Sequence, residues 1–100
     1  MIRSFRCRET EGIFRLRPSR KLPVDIQASA LRKLRMLNNA QSLDDLRVLP
    51  ANRLERLAAD RAGQWSIRVN SQWRICFLWH GRDAFDVEIV DYHQEKVAHG

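Results

Sequence analysis

At 100 residues the chain is long enough for one compact domain and too short for two, so any site must be built on a single modest core. Its 44% hydrophobic and 30% charged composition excludes a disordered polyelectrolyte, and no apolar run approaches the roughly 20 residues that cross a bilayer. The net charge of +6, with an isoelectric point near 10.3, favours polyanionic partners, nucleic acid first among them.

The opening MIRSFRCRET has neither the apolar stretch nor the cleavage site of a secretory signal, so a cytoplasmic address without membrane contact is expected. Within it, IRSFRC (2–7) alternates and suits a short strand. Residues 9–16 read as a short helix stopped by Pro18. PSRKLP then forms a basic loop closed by prolines, holding Arg20 and Lys21 outside any regular element. From Val24 to Leu37, the residues Val24, Ala28, Leu31, Leu34 and Leu37 recur at helical spacing, which predicts a helix with that stripe toward the core. Asn38 and Asn39 make a suitable stop, and Ser42 in SLDDL is a natural N-cap for a brief acidic helical turn. VLPANR is irregular, and LERLA alternates well enough for a strand.

From Gly63 onward the period changes to two. Trp65, Ile67 and Val69 alternate with polar neighbours, as do Trp73, Ile75, Phe77 and Trp79, and then Phe85, Val87 and Ile89. The order of strand, helices and antiparallel meander predicts an α+β domain over residues 1–100, with two N-terminal helices packed on one sheet face. Cys7 and Cys76 form no C-x-x-C unit and read as buried thiols. His80, His93 and His99 lack metal-ligand spacing, so neither a metal nor a cofactor is expected.

The hairpin SIRVNSQWRICF (66–77) carries the first functional signal. A three-residue loop, Asn70-Ser71-Gln72, keeps the large apolar residues on one face by pairing Val69 with Trp73, Ile67 with Ile75 and Trp65 with Phe77. The same register sets Arg68 across from Arg74, and like charges so placed cost about 0.2–1 kcal/mol. Continued to the next strand, it pairs Ile75 with Ile89 and Phe77 with Val87, and leaves Glu88 only diagonal to the arginines. Two guanidiniums on one rigid face suit a phosphate, although long arginine stems can also simply diverge into solvent. On the first reading Arg74→Ala should abolish activity with little loss of stability.

The third strand ends in Asp91-Tyr92-His93, an acid, a phenol and an imidazole close to that hairpin. Metal-free cleavage of an RNA phosphodiester needs a base for the 2′-hydroxyl, an acid for the leaving 5′-oxygen, and cations around the crowded phosphorane. Such a cluster with Arg68 and Arg74 supplies all three; alone, it reads as a strand end with a half-buried tyrosine.

Residues 52–93, NRLERLAADRAGQWSIRVNSQWRICFLWHGRDAFDVEIVDYH, with MIRSF and LRKLRML before them, resemble the HigB-type toxins of the RelE/ParE superfamily. The resemblance implies a RelE-like curved, antiparallel-rich sheet cradling RNA. It implies the toxin of a type II toxin–antitoxin pair, a ribosome-dependent, cofactor-free messenger-RNA endoribonuclease that leaves a 2′,3′-cyclic phosphate. By position it implies that Arg68 and Arg74 stabilise the phosphate and that Asp91, Tyr92 and His93 form the catalytic cluster. It further implies that Lys21, Arg20, Arg61 and Arg53 contact RNA or ribosome, while Asn52 and Glu55 are structural or acid–base groups. The implied partners are a HigA-like helix-turn-helix antitoxin, bound 2:2 and alone touching operator DNA, and the 70S ribosome with its message. The chain departs from the pattern in two respects. It has no histidine before His80, where some members place one for proton transfer, so that role falls to His93, Tyr92 or Glu55. It has Ala51 and Ala59 where glycine is common, so the connecting loop is expected to take another path. Two other readings stand beside this one: a ParE-like gyrase inhibitor without nuclease activity, and a non-catalytic homologue that only binds nucleic acid or antitoxin.

Overall fold

The computed structural model describes residues 1–92, and His93 and His99 lie outside that range. Helices α1 (Arg8–Phe14), α2 (Val24–Asn39) and α3 (Leu43–Arg47) precede strands β1 (Glu55–Arg56), β2 (Trp65–Arg68), β3 (Trp73–His80) and β4 (Asp83–Asp91), with 3-10 turns at Pro50–Asn52 and Ala59–Arg61. The strands form one antiparallel sheet in the order β1-β2-β3-β4. Ile13 of α1, the inner face of α2, and Leu46 of α3 join Ile67, Ile75, Phe77, Val87 and Ile89 of the sheet in one core. This is the expected α+β arrangement.

Helix α2 forms where its periodicity predicts, but it turns a different stripe inward. Ile26, Ala30, Leu34 and Leu37 are buried, whereas Val24 is 84% exposed, Ala28 is exposed and Leu31 is half-buried. At about 100° per residue, a helix can carry two apolar stripes on different faces. The set expected from spacing alone joins members of both.

Helix α1 ends in paired reverse bonds: the Leu16 N–H donates to the Ile13 carbonyl at 3.1 Å, and the Arg17 N–H to the Gly12 carbonyl at 2.7 Å. The pattern is a Schellman motif, whose left-handed residue is usually glycine. Here Leu16 holds it, at φ 64. Helix α3 is capped as predicted, the Ser42 hydroxyl accepting from the Asp45 N–H at 3.4 Å.

The hairpin register agrees with the apolar-face argument: Trp65 pairs with Phe77, Ile67 with Ile75 and Arg68 with Arg74. On the far side Ile75 pairs with Ile89 as expected, but the ladder slips between Cys76 and Leu78, so Phe77 and Val87 are not partners. Asp86, at φ 52, forms the irregularity that bends β4. It also explains why residues 2–7 make two isolated parallel bridges to β4, Ile2 with Ala84 and Phe5 with Val87, instead of a continuous strand. Between the bridges the Asp86 N–H turns to the Ser4 hydroxyl at 2.9 Å. One step further on, the buried Thr10 hydroxyl accepts from the Ile89 N–H at 2.9 Å and so continues the covering of the β4 edge.

Three smaller expectations are corrected. LERLA yields only the two-residue β1, because Ala59 turns left-handed at φ 54 and ends the extension. Alanine thus takes there a conformation that favours glycine. Cys7 is half-exposed and only Cys76 is buried, since Cys7 sits at the outer start of α1 with its sulfur 3.0 Å from the Thr10 hydroxyl. Glu88 does not lean toward the facing arginines: it pairs with Arg61 at 3.2 Å and Arg6 at 3.9 Å.

Candidate active site

The hairpin turn is fixed by one side chain. Asn70 Oδ1 accepts from the Gln72 and Trp73 N–H groups, both at 2.8 Å, and closes the three-residue loop in the expected register. Arg68 and Arg74 therefore face each other across β2 and β3, but their environments differ. Arg74 is only 5% exposed, on a sheet face where Ser66 and Cys76 are buried too. A guanidinium taken out of water requires acceptors. Its Nε donates to Ser66 Oγ at 2.8 Å, and its Nη2 donates to the Arg53 carbonyl at 2.6 Å and the Ser66 carbonyl at 3.4 Å. Arg68 is half-buried and has no hydrogen-bond or ion-pair partner among the described residues. The expected pair of exposed forks is thus one anchored and one unencumbered guanidinium, and Arg74→Ala cannot be nearly neutral for stability.

The acceptor on Arg53 is itself a product of local sequence. Pro50–Asn52 forms a 3-10 turn, and Arg53, at φ 43, reverses the chain so that its carbonyl points at Arg74. The turn is held from beneath by Asn52, which is fully buried. Its Nδ2 donates to the Leu46 carbonyl at 3.0 Å, and its Oδ1 accepts from Lys33 Nζ at 2.5 Å. Partial burial, with Arg32 nearby, holds Lys33 below its ordinary value. Asn52 therefore anchors the loop that presents Arg53 and Glu55. The Glu55 carboxylate lies 3.9 Å from Arg74 Nη2 and remains 47% exposed.

Tyr92 completes the arrangement. Its N–H donates to the Gln72 carbonyl at 2.7 Å, which pins the end of β4 to the hairpin tip, and its ring lies 5.2 Å from the Arg74 guanidinium carbon. Arg53, Glu55, Arg68, Asn70, Ser71, Arg74 and Tyr92 line one cleft of about 320 Å³. Arg74 Nη1 has no acceptor among the described residues, so this buried cation keeps one donor for whatever enters. The cleft brings together three cations, a carboxylate and a phenol. That set can bind a phosphodiester, remove a proton and deliver one.

The other expected residues are placed elsewhere. Asp91 pairs with Trp73 across the sheet and accepts from Gln72 Nε2 at 3.0 Å, so it braces the hairpin tip and does not line the cleft. Successive strand residues point to opposite faces, which separates Asp91 from Tyr92. His93 lies outside the described residues. Arg61 is held by Glu88 and by Gln64 Oε1, both at 3.2 Å. Lys21 lines a separate cavity beside α1, and Arg20 is exposed on the same loop. Sequence reasoning did not find Ser66, Asn70 or Ser71. Only the turn propensity of Asn70-Ser71 signalled any of them.

The family model described as the RelE-like toxin of the type II toxin–antitoxin system HigB matches residues 4–93. A protein named Endoribonuclease HigB, from Proteus vulgaris, is 29% identical over 93 residues, 93% of this chain and 100% of that one. Toxin HigB-1 of Vibrio cholerae is 45% identical over 60 residues, 60% of this chain and 63% of its own length. The chain thus spans less than two thirds of that relative.

Proposed function

The chain belongs to the HigB family of RelE-like toxins from type II toxin–antitoxin systems, and from that membership we propose that it is an endoribonuclease cutting messenger RNA in the Arg68/Arg74/Tyr92 cleft. The supporting observation is that Arg74 stacks on Tyr92 while lying 3.9 Å from the Glu55 carboxylate, which puts cation, phenol and base around one small space. The 2′-hydroxyl attacks the adjacent phosphorus and the P–O5′ bond breaks, giving a 2′,3′-cyclic phosphate and a 5′-hydroxyl. Glu55 takes the 2′-hydroxyl proton. The Tyr92 phenol gives its proton to the departing oxygen, with His93, the next residue, as a second proton carrier. Arg68, Arg74 Nη1 and Arg53 meet the charge of the phosphorane, and pre-placed donors of this kind contribute about 2.7–4 kcal/mol each to such transition states.

Asp91 acts by bracing the hairpin tip beneath Tyr92. Arg20 and Lys21 reach the ribosome and not the reacting strand, because they sit on the α1 side of the sheet. Arg61 supports β4 through Glu88. A cleft of about 320 Å³ lined by seven residues holds little of a flexible message, so the decoding site of the 70S ribosome supplies the in-line geometry. Its toxicity is held in check by a helix-turn-helix antitoxin, which in a 2:2 complex binds the operator.

The test is to induce the chain without antitoxin and map message 5′ ends. Codon-phased cuts inside translated messages, with cyclic-phosphate termini upstream, support the proposal. Intact messages with stalled DNA replication would overturn it in favour of a gyrase-directed toxin.

A further inference from the structure

The sheet face that carries Arg74 is closed around a serine. Ser66 is fully buried in β2, opposite Cys76 of β3 and Glu55 of β1. Positions 64, 66 and 68 carry glutamine, serine and arginine, the pattern of a solvated strand face, yet Gln64 and Ser66 are both buried. A hydroxyl taken out of water on a strand is costly without a partner, and valine would suit such a position better. What this hydroxyl supplies is an acceptor for Arg74 Nε at 2.8 Å.

A guanidinium carries its N–H donors in one plane. Nε and Nη2 are taken along one edge of that plane, by Ser66 Oγ, by the Ser66 carbonyl at 3.4 Å and by the Arg53 carbonyl at 2.6 Å, while the Tyr92 ring lies 5.2 Å from the central carbon. Bonds along that edge fix the rotation of the plane and with it the direction of Nη1, which no acceptor among the described residues takes. The Glu55 carboxylate stands 3.9 Å from Nη2, outside hydrogen-bond range. With the Nε bond gone, this carboxylate is the strongest acceptor within reach of the loosened cation, which would turn toward the base and away from the phosphate.

We propose that Ser66 is a positioning residue for RNA cleavage: its hydroxyl holds the Arg74 fork off Glu55 and aimed at the scissile phosphate. Full burial keeps Ser66 from the substrate, so its effect passes through Arg74. Groups that meet a developing anion must be held to within about 0.5 Å and 10–20° of the productive geometry, and a displacement of about 1 Å is enough to cost roughly 100-fold in rate. The inference rests on the reading of Arg74 as a phosphate ligand.

The test measures single-turnover cleavage on programmed ribosomes by the parent chain and by Ser66→Ala, Ser66→Cys and Ser66→Thr, each rate taken per folded molecule. Cysteine is close to serine in size and its sulfur is only a weak acceptor, so Ser66→Cys keeps the packing should Ser66→Ala fail to fold. Both should cleave about 10- to 100-fold more slowly at saturating ribosomes, with the half-saturating concentration within about threefold of the parent's because Arg68 and Arg53 still bind the message. Ser66→Thr, which keeps the hydroxyl, should stay near the parent. In an Arg74→Gln background Ser66→Cys should cost nothing further, since the serine acts only through the arginine. A merely structural serine would lower the melting temperature and leave the rate per folded molecule unchanged. Parent-like rates for Ser66→Ala and Ser66→Cys would therefore overturn the proposal. So would Ser66→Thr falling with them, or a loss that multiplies with that of Arg74→Gln. Failure of the nuclease reading would appear separately, as messages left uncut by the parent chain, and this inference would fall with it.

Discussion

Glutamine placed separately at positions 68 and 74 should distinguish charge from architecture at the cleft. Arg74 ends three donations on Ser66 and Arg53, and a buried acceptor stripped of its donor costs about 1–3 kcal/mol. Glutamine can retain one donation, so Arg74→Gln should destabilise the fold by about 3 kcal/mol, a large share of the roughly 5–15 kcal/mol that holds such a domain together. At about 4–8 °C per kcal/mol for a chain of this size, the unfolding midpoint should fall by roughly 12–24 °C. Among the described residues the Arg68 side chain has no partner to lose, so Arg68→Gln should leave stability within about 0.5 kcal/mol of the parent, with the sign toward stabilisation because a facing like charge is removed. Cleavage should nevertheless fall by about 100-fold or more, the loss expected when one pre-placed donor is taken from a developing anion. Thermal melts followed by circular dichroism, with single-turnover cleavage on programmed ribosomes, read both effects. A parent-like melt for Arg74→Gln would refute the anchoring role, and parent-like cleavage by Arg68→Gln would refute the electrostatic one.

Tyr92→Phe keeps the ring against Arg74 and removes only the phenolic proton. Cleavage should drop by about 10²–10⁴-fold with little change in melting, and retained cleavage would transfer proton donation to another group. Asn52→Ala deprives the Leu46 carbonyl and Lys33 of their partner, so denaturant unfolding should show a loss of about 2–3 kcal/mol while the folded fraction keeps its rate on the ribosome. A lower rate per folded molecule would make Asn52 a participant in the chemistry. Partial burial works against the Asp83 charge, but Arg3 at 3.2 Å and the terminal ammonium at 3.4 Å outweigh it and hold the carboxyl below its ordinary 3.8. The unfolded chain therefore binds this proton more readily. The contribution is present above the ordinary value and is lost as pH falls through the lowered one. Asp83→Asn should flatten stability between about pH 5 and pH 2, and an unchanged slope in pH-dependent melts would show the pairing to be inert.

Period-two alternation fixed the hairpin register to the residue, because a one-residue slip would turn Ile67, Ile75 and Phe77 to water. Ser42 and the span of α2 were legible for similarly local reasons. Burial on the second sheet face was not. It depends on the Pro50–Arg53 turn folding back over Ser66 and Arg74, a contact between segments about 20 residues apart that carries no periodic mark. The stripe on α2 failed differently, since Val24, Ala28 and Leu31 are as regular as the true core positions and only packing distinguishes them. At the candidate site, residue types near the hairpin pointed to Arg68, Arg74 and Tyr92. The orientation that sends Asp91 away and the Asn70 and Ser71 lining depend on where the strand ends.

The seam between residues 1–6 and β4 joins positions more than 80 apart, from Met1 with Ala84 to Arg6 with Val87. Residues 1–6 thus have no mate until residues 84–87 have been made, and the cleft likewise waits for Tyr92. Contacts so distant along the chain close late. A chain lacking β4 therefore lacks the seam and the cleft together, so the covered sheet edge and the site are completed by the same strand.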